Sequence, residues 1–324
     1  CESIFNSTSP VIMRITPLTP SIGAQIDNFD VRRASTADIT GLRQLLDERG
    51  VVFIPGQHGL SVEEHIAFGR HFGKLQSHPN LSAAVSASHP EIFELRASKG
   101  GVANEWHTDL TFQQEPAMLS ILHMRECPPV GGDTMWTSLG AAYDALSPPM
   151  QDLVNNLSAL HDALPHNQPE KMAVHPVVRR HPVTGRKCLY VSEHFTRRIV
   201  EMNHKESDML LQYLTRHVHD PRFSVRWKWT KGTIAIWDNT QTQHCVLNNF
   251  VGERHIQRVT IAGDKVEAAN CALPVYSPFL AGTLGASSRH DRQLFQYFKQ
   301  EERMPGIAGG GAAVVHPAPV KARL

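Results

Sequence analysis

The sequence predicts a mainly β fold with flanking helices, a jelly roll or barrel and not a parallel sheet. Many short candidate strands are separated by turn-forming residues, a pattern typical of sandwiches and barrels. The chain has 324 residues, of which 41% are hydrophobic and 19% charged. That composition is typical of a soluble globular chain, long enough for one large β-rich domain or two ordinary ones.

The first 72 residues are predicted to contain three strands and two helices. In order, these are strands over 12–18 and 22–26, a helix over 36–49, a strand over 51–54 and a helix over 61–72. Ser35 or Thr36 can cap the first helix, and Gly50 ends it. Ser61 and Glu64 form a capping box that starts the second helix.

Strands dominate the rest of the chain. The expected strands are 92–95, 105–112, 118–125, 134–137, 177–181, 188–191, 223–229, 233–238 and 258–262. Helices are expected at 139–146, 148–159 and 204–216. Short apolar runs between turn residues are the basis of these assignments.

The predicted domain organisation is a single jelly-roll domain over residues 12–265. Residues 1–11 have the composition of a flexible leader. Residues 266–304 are expected to form a C-terminal extension with a helix over 290–300. Residues 305–324 are rich in Gly, Ala and Pro and are expected to be disordered.

Charge, hydropathy and cysteine usage argue against nucleic-acid binding, membrane association and an oxidising compartment. The formal net charge is +1, so no overall field favours nucleic acid or an anionic membrane. No apolar run approaches the roughly 18–20 residues of a membrane helix, and the first ten residues lack the regions of a signal peptide. The five cysteines are odd in number and contain no C-x-x-C pair, which indicates reduced thiols and a cytoplasmic location.

The strongest candidate site is a metal centre formed by His107, Asp109 and His244. Side chains at i and i+2 of a strand point to one face, so His107 and Asp109 could present a nitrogen and an oxygen to one ion. A second histidine completes the facial triad of non-haem Fe(II) oxygenases, which leaves open coordination positions. H-x-D alone is too short to be specific, and a single strand histidine is more often a hydrogen-bonded core or surface residue.

Four motifs in a fixed order make the interpretation specific. They are E-W-H-T-D-L-T-F at 105–112, G-G-D-T-M-W-T-S at 131–138, A-I-W-D-N-T-Q-T-Q-H at 235–244 and R-H-I-Q-R-V-T-I-A-G-D at 254–264. With them, the chain from about residue 15 to 265 resembles the taurine dioxygenase (TauD/TfdA-type) family. The resemblance implies a cupin-like double-stranded β-helix, the jelly roll of these enzymes. It also implies Fe(II) on His107, Asp109 and His244, with 2-oxoglutarate and O2 as cosubstrates.

Two further residues match the family's 2-oxoglutarate clamp. Arg254 corresponds to the arginine that binds the far carboxylate, and Thr134 to the threonine that shares this role. A planar guanidinium can grip a carboxylate with two parallel hydrogen bonds. Taken alone, Arg254 in its polar Glu-Arg-His context could equally be a solvated loop charge, and Thr134 an ordinary strand residue.

The resemblance also implies a site for an anionic substrate. In the sulfonate- and sulfate-ester-oxidising members, residues matching Arg258 and His78 hold the substrate's anionic group; His78 could otherwise be a simple turn residue. Leu81 and Ala163 stand where taurine-specific members have a tyrosine and a phenylalanine, while Phe195 keeps an aromatic wall. Large-to-small changes widen a pocket and remove aromatic contact area, so we expect a substrate larger than taurine.

Trp106 and Asn239, which lie beside the proposed ligands, are candidates for shielding or orienting the metal. Either could also be an ordinary core residue. Asp109 favours hydroxylation, because related halogenases replace this carboxylate with a small residue. The family often forms dimers or tetramers, so a homodimer or homotetramer is expected.

The predicted function is therefore hydroxylation of an aliphatic C–H bond in a small anionic substrate, an alkyl sulfonate or sulfate ester, with release of succinate and CO2. A second prediction is hydroxylation or desaturation of a carboxylate, either an aryloxyalkanoate or a biosynthetic intermediate. A third, from another class, is a non-enzymatic jelly roll that binds a metal or small anion.

Overall fold

The computed structural model describes residues 13–80, 88–99, 103–269, 290, 293–294 and 296–297. The chain divides into two compact units, Cys1–Leu273 and Pro274–Leu324, and the fold below is that of the first. The predicted leader, most of the predicted C-terminal helix, the predicted tail and Leu81 lie outside the described residues. The proposed domain limits of 12 and 265 stay a prediction.

The described part of the chain contains sixteen strands and five α-helices. The strands are β1 (Arg14–Pro17), β2 (Ala24–Asp27), β3 (Val51–Ile54), β4 (Leu75–Gln76), β5 (Ile92–Lys99), β6 (Leu119–Glu126), β7 (Thr134–Ser138), β8 (Ser158–Ala163), β9 (Gln168–Pro176), β10 (Val178–Arg180), β11 (Lys187–Leu189), β12 (Thr196–Ile199), β13 (Ser224–Trp227), β14 (Ile234–Asp238), β15 (Thr242–Val246) and β16 (Val251–Ile261). The helices are α1 (Thr36–Arg49), α2 (Val62–Arg70), α3 (Leu139–Asp144), α4 (Pro148–Val154) and α5 (His204–Val218).

One large sheet and three small sheets form the β framework. The large sheet has the order β1-β2-β3-β14-β6-β16-β4, with β5 also paired to β16. The small sheets are β13-β7-β15, β12-β8-β9 and β10-β11. Every pairing is antiparallel except that of β2 with β3, within the residues that the structure describes. This antiparallel arrangement is the predicted mainly β jelly roll.

Alternate residues of β3 pack into two different cores. Phe53 lies in the core between the large sheet and the β13-β7-β15 sheet, where its ring is 5.1 Å from Trp136. Trp237 of β14 belongs to the same core, with its ring 5.8 Å from that of Trp136. Val52 and Ile54 face the other way, onto α1 and α2. The period of two therefore places one face of the sheet against helices and the other against the second sheet.

The helices start where the sequence indicates. Ser35 accepts a hydrogen bond from the amide of Asp38, whose carboxylate accepts one from the Ser35 amide. Ser61 and Glu64 form the same reciprocal box at α2. Each box satisfies two amides that the first helical turn leaves without partners. Helices α3, α4 and α5 pack against the smaller sheets in a separate apolar cluster.

The predicted strand over 105–112 is wrong. Only His107 pairs there, through an isolated bridge to His244, and the chain turns at residues 109–112. Leu110 has a φ of 59°, a left-handed conformation that ends any extended strand. Asp109 therefore reaches the site from a turn and not from the regular face of a strand.

The predicted helix over 148–159 is too long. Helix α4 ends at Val154, and after a short turn the chain forms β8, all of whose side chains are buried. A strand buried on both faces lacks the alternation that would reveal it. Strands β4, β9, β12 and β15 were also missed. β12 pairs with β8 and β15 with β7, which are distant along the chain, whereas β9 forms a hairpin with the equally unpredicted β8.

Candidate metal centre

The two histidines of the predicted triad are joined by a reciprocal pair of backbone hydrogen bonds. The amide of His107 donates to the carbonyl of His244 at 3.0 Å, and the amide of His244 donates to the carbonyl of His107 at 2.8 Å. Their ring centroids are 4.2 Å apart. One ligand-type atom from each of His107, Asp109 and His244 lies within 4.8 Å of the other two, and all three residues are buried.

Asp109 is held by three polar neighbours. Its Oδ1 accepts a hydrogen bond from Arg258 Nη1 at 2.8 Å, and its Oδ2 accepts one from Ser120 Oγ at 2.8 Å. Asn239 accepts from the amide of Asp109 and donates to Ser120. Burial alone would raise the pKa of Asp109, but the Arg258 charge and the two imidazoles hold it well below its usual range. The carboxylate is therefore ionised, the form that binds a metal.

The two imidazoles are neutral at physiological pH. Burial lowers the pKa of His107 to about 4, and burial together with the neighbouring His107 lowers that of His244 well below its ordinary value. His107 Nδ1 donates to the carbonyl of Glu105 at 2.7 Å, so Nε2 carries the lone pair that can bind a metal. Nδ1 of His244 is buried without a hydrogen-bond partner among the described residues, so this ring is not a satisfied core histidine. Two neutral imidazoles and one carboxylate fit a divalent metal.

A second group of possible metal ligands, Asp47, His181 and Asp238, does not fit. His181 Nδ1 accepts hydrogen bonds from the amides of Val183 and Thr184, so the ring proton must be on Nε2. Nε2 donates to Asp238 at 2.8 Å and has no lone pair for an ion. This group braces the turn between β14 and β15, which precedes His244.

Arg254 and Thr134 meet one another beside this centre. Arg254 Nη2 lies 3.4 Å from Thr134 Oγ1, and Arg254 Nε donates to the Gly132 carbonyl at 3.3 Å. In the pairing of β15 with β7, His244 is opposite Trp136 and Val246 is opposite Thr134. Thr134 is two residues from Trp136 on β7, so its side chain lies on the same face of this sheet as that of His244. The strand predicted to begin at residue 258 in fact begins at Val251, which places Arg254 within β16.

Arg254 is a buried cation. It is 3% exposed, so the alternative of a solvated loop charge is wrong. Burial lowers its pKa to about 10, which still leaves it charged at neutral pH. No described carboxylate forms an ion pair with it. A desolvated guanidinium without a counter-ion is a site for an anion.

Arg258 and His78 converge on a single aromatic ring. The Arg258 guanidinium carbon is 5.0 Å from the centroid of Phe93, and the His78 ring is 5.2 Å from the same centroid. Burial and the Arg258 charge lower the pKa of His78 to about 3, so this imidazole is neutral. Arg258 Nε is buried and has no partner among the residues that the structure describes. A hydrogen-bond donor of the guanidinium is therefore available beside the metal centre.

Comparison with known proteins agrees with this geometry. Residues 14–260 match the family model described as taurine catabolism dioxygenase TauD, TfdA family. The chain belongs to the TauD/TfdA family. Family membership makes the protein an oxidoreductase, a dioxygenase that uses Fe(II), 2-oxoglutarate and O2.

Individual relatives of the TauD/TfdA family cover most of the chain. An alkylsulfatase of Acinetobacter baylyi is 32% identical over 80% of this chain and 87% of its own. An alpha-ketoglutarate-dependent sulfate ester dioxygenase of Pseudomonas putida is 31% identical over 77% and 89%. An alpha-ketoglutarate-dependent 2,4-dichlorophenoxyacetate dioxygenase of Cupriavidus pinatubonensis is 30% identical over 77% and 98%.

A solved structure supports the predicted fold. The crystal structure of a taurine dioxygenase from Burkholderia xenovorans matches with a TM-score of 0.71 and 34% identity, over 78% of this chain and 92% of that one. The predicted jelly roll of the TauD/TfdA family is thereby confirmed. In the described part of the chain, no helix has the length and apolar character needed to cross a bilayer.

Three further predicted residues, Ala163, Phe195 and Trp106, have the following contacts in the structure. Ala163 and Phe195 belong to one buried apolar cluster with Leu110 and Phe112, and the Phe195 ring is 6.2 Å from that of His107. Trp106 stacks on His219 at 5.0 Å, while its carbonyl accepts a hydrogen bond from the amide of His194.

Sequence reasoning missed three residues of this site. Ser120 holds Asp109, and His194 donates to the carboxylate of Glu105 at 2.7 Å. His166 places its ring 5.5 Å from that of Phe195. None of the three belongs to the four motifs, so no motif could have identified them.

Proposed function

We propose that this dioxygenase hydroxylates an aliphatic C–H bond of a small anionic substrate, an alkyl sulfonate or alkyl sulfate ester larger than taurine. In that reaction O2 and 2-oxoglutarate are consumed, one oxygen atom enters the substrate, and succinate and CO2 are released. The observation that carries the proposal is the buried guanidinium of Arg258, which lies against the metal centre and next to His78. Relatives named for sulfate esters support the same substrate class.

His107, Asp109 and His244 would hold the iron, since their donor atoms converge and are in ligand form. When bound, the iron supplies the redox chemistry between O2, 2-oxoglutarate and substrate. The protein's own part is position and electrostatics. Asn239 and Ser120 orient the Asp109 carboxylate, and the hydrogen bond from the His194 amide to the Trp106 carbonyl holds the backbone beside His107.

Arg254 and Thr134 would bind the far carboxylate of 2-oxoglutarate. The charge of Arg254 is already desolvated, so little solvent reorganisation opposes binding of a diacid. The guanidinium fork matches the two oxygens of a carboxylate. Trp229 Nε1 donates to Thr134 Oγ1 at 2.9 Å, which fixes the hydroxyl that faces Arg254.

Arg258 and His78 would bind the anionic head of the substrate. Ala163 and Phe195 would line the space for its alkyl part, where the alanine leaves room for a longer chain. We assign Leu81 to the same wall from its sequence position alone. With the head fixed near the metal, an aliphatic carbon next to the anionic group comes within reach of the reacting centre. Hydroxylation at a carbon bonded to sulfonate sulfur or sulfate oxygen gives an unstable product that releases the sulfur anion and an aldehyde.

Oxidation of a carboxylate substrate is the second candidate. The reaction would be hydroxylation or desaturation of an aryloxyalkanoate or a biosynthetic intermediate, and the relative named for 2,4-dichlorophenoxyacetate supports the first of these substrates. The non-enzymatic alternative is not retained, because the chain belongs to an enzyme family.

A matched substrate panel tests the choice. Alkyl sulfates, alkyl sulfonates and carboxylates of equal chain length are incubated with the iron-loaded protein, 2-oxoglutarate and O2, and substrate-dependent succinate is measured. We expect succinate with the sulfur anions, together with stoichiometric sulfate or sulfite. Turnover of carboxylates alone would show that the sulfur-anion assignment is wrong.

We also infer a cytoplasmic homodimer or homotetramer. The cysteines Cys127, Cys188 and Cys245 are unpaired thiols, as a reducing compartment requires. The oligomeric state rests on the family resemblance. Light scattering of the purified protein measures it directly, and a monomer at micromolar concentration would contradict the inference.

A further inference from the structure

Asn80 connects two histidines at the edge of the substrate site. Its backbone amide donates to Nδ1 of His78 at 3.2 Å, and its side-chain Nδ2 lies 3.3 Å from Nδ1 of His166. Lys171 Nζ donates to Asn80 Oδ1 at 2.6 Å. An ammonium group has only donors, so it fixes the amide with its oxygen toward Lys171 and its NH2 group toward His166.

This network sets the tautomer of both rings. An imidazole nitrogen that accepts a hydrogen bond carries no proton, so Nδ1 is unprotonated in His78 and in His166. Burial lowers the pKa of both rings, which are therefore neutral and carry their single proton on Nε2. The single N–H donor of His166 is therefore on Nε2.

His166 lies among the residues already assigned to the substrate site. Its ring centroid is 5.5 Å from His78, 5.5 Å from Phe195 and 5.5 Å from Phe112. His78 in turn shares the Phe93 ring with Arg258. The His78 ring thus lies between His166 on one side and the Phe93 ring that Arg258 contacts on the other.

We propose that His166, with its tautomer set by Asn80 and Lys171, is a further donor to the anionic head of the substrate and selects –SO3 groups over carboxylates. The inference rests on the proposed function. A sulfonate or sulfate ester has three terminal oxygens and a carboxylate has two. A carboxylate that pairs with the Arg258 fork directs both of its oxygens at the guanidinium, whereas an –SO3 head paired in the same way keeps a third oxygen out of that plane to accept from His166.

The first test reads the tautomer in the metal-free protein. Nitrogen-15 shifts of the imidazole rings are recorded, and the His166 signals are assigned by their loss in His166→Gln. We expect a protonated Nε2 and an unprotonated Nδ1 in the wild type. Asn80→Leu removes the donor to Nδ1, so the Nε2–H fraction of His166 should fall. A wild-type ring protonated on Nδ1 alone would overturn the proposal.

The second test compares two head groups on the same alkyl chain. His166→Leu keeps the volume but removes the donor, and KM for the alkyl sulfate or sulfonate should rise about tenfold, the effect of one hydrogen bond to an anion. KM for the matched carboxylate should change much less. His166→Gln, whose amide can place an N–H near the position of Nε2, should recover most of the loss. The exposed His71→Gln is the matched control.

A double-mutant cycle separates the role of Asn80. Asn80→Leu should raise KM for the sulfur anion in the wild-type background and add little in the His166→Leu background. Equal losses for both head groups in His166→Leu would indicate a structural role and overturn the inference. Failure of the wild type to oxidise any sulfur anion would instead contradict the proposed function.

Discussion

Arg258 Nη1 donates a hydrogen bond of 2.8 Å to Oδ1 of Asp109, the carboxylate that converges with His107 and His244. One guanidinium thereby touches the proposed iron ligand and the proposed substrate-anion site. The pair is buried, so its interaction is only weakly screened by salt. In the proposed mechanism, substrate recognition and metal geometry consequently share the side chain of Arg258.

Replacement of Arg258 should separate the two roles. Arg258→Gln removes the cation, so KM for the sulfur anion should rise about 10- to 100-fold, the effect of losing one or two charge-assisted hydrogen bonds. Affinity for a divalent metal, measured by isothermal titration with Mn(II), should not fall, because the lost positive charge opposed the ion. Arg33→Gln, whose side chain is 88% exposed, is the charge-matched control. Equal weakening of metal and substrate would contradict the assignment.

Replacement of Arg254 should affect 2-oxoglutarate alone. Arg254→Met keeps the apolar stem and removes the charge, and KM for 2-oxoglutarate should rise about 30-fold or more. The metal-free variant should unfold at the same or a higher temperature, since an uncompensated buried cation costs folding free energy. Titration with Mn(II) should be unaltered. An unchanged KM for 2-oxoglutarate would show that the diacid binds elsewhere.

Filling the space at Ala163 should change the preferred chain length. Ala163 is fully buried and packs beside Phe195, so Ala163→Phe would narrow the alkyl part of the pocket. The ratio of kcat/KM for a long to a short alkyl sulfate should fall about tenfold or more. Overpacking costs about 1–3 kcal/mol of stability, so a thermal melt accompanies the kinetics. The smaller change Ala163→Ser is the control, and an unaltered ratio would place the alkyl chain elsewhere.

The metal-free protein should lose stability as the pH falls from about 6.5 to 4. Burial lowers the pKa of His175 to about 4 and that of His65 to about 3, whereas both titrate near 6.5 when unfolded. Between these values the unfolded chain binds more protons than the folded one, so the free energy of unfolding decreases with falling pH. Each buried ring contributes up to about 1.4 kcal/mol per pH unit.

Urea melts at pH 7, 6 and 5 measure this decrease. His65 Nε2 donates to the Ile121 carbonyl in the core, so His65→Gln should flatten the pH dependence at some cost in stability at pH 7. His71→Gln on the surface should leave the slope unchanged. A stability that is constant from pH 7 to 5 would contradict the neutral buried state of these rings.

The site was predicted from local motifs, and the features that depend on residues close together in the sequence were the predictable ones. His107, Asp109, Arg254 and Thr134 stand at motif positions; in the structure, ligand-type atoms of His107 and Asp109 converge with His244, and Arg254 lies against Thr134. The capping boxes at α1 and α2 were also predictable, because a cap depends on residues within one turn.

Features that depend on distant pairing were not predictable. The turn after His107 is set by the bridge to His244 and by the left-handed Leu110, neither of which leaves a local pattern. Arg254 lies in a polar run that is typical of a loop, yet strand pairing turns its side chain into the interior. Asn80 and His166 meet only because β9 and its preceding turn fold back on the segment after β4.

The reciprocal amide–carbonyl bonds between His107 and His244 come from the main chain. Any residue type except proline can supply them, so the spacing between these two backbone positions does not depend on which side chains surround the site. Libraries of substitutions at Ala163, Phe195 and His166 could therefore be screened for new substrates while His107 and His244 keep their relative position. An insertion or deletion that shifts the register of β15 against β7 would move His244 out of its position opposite Trp136.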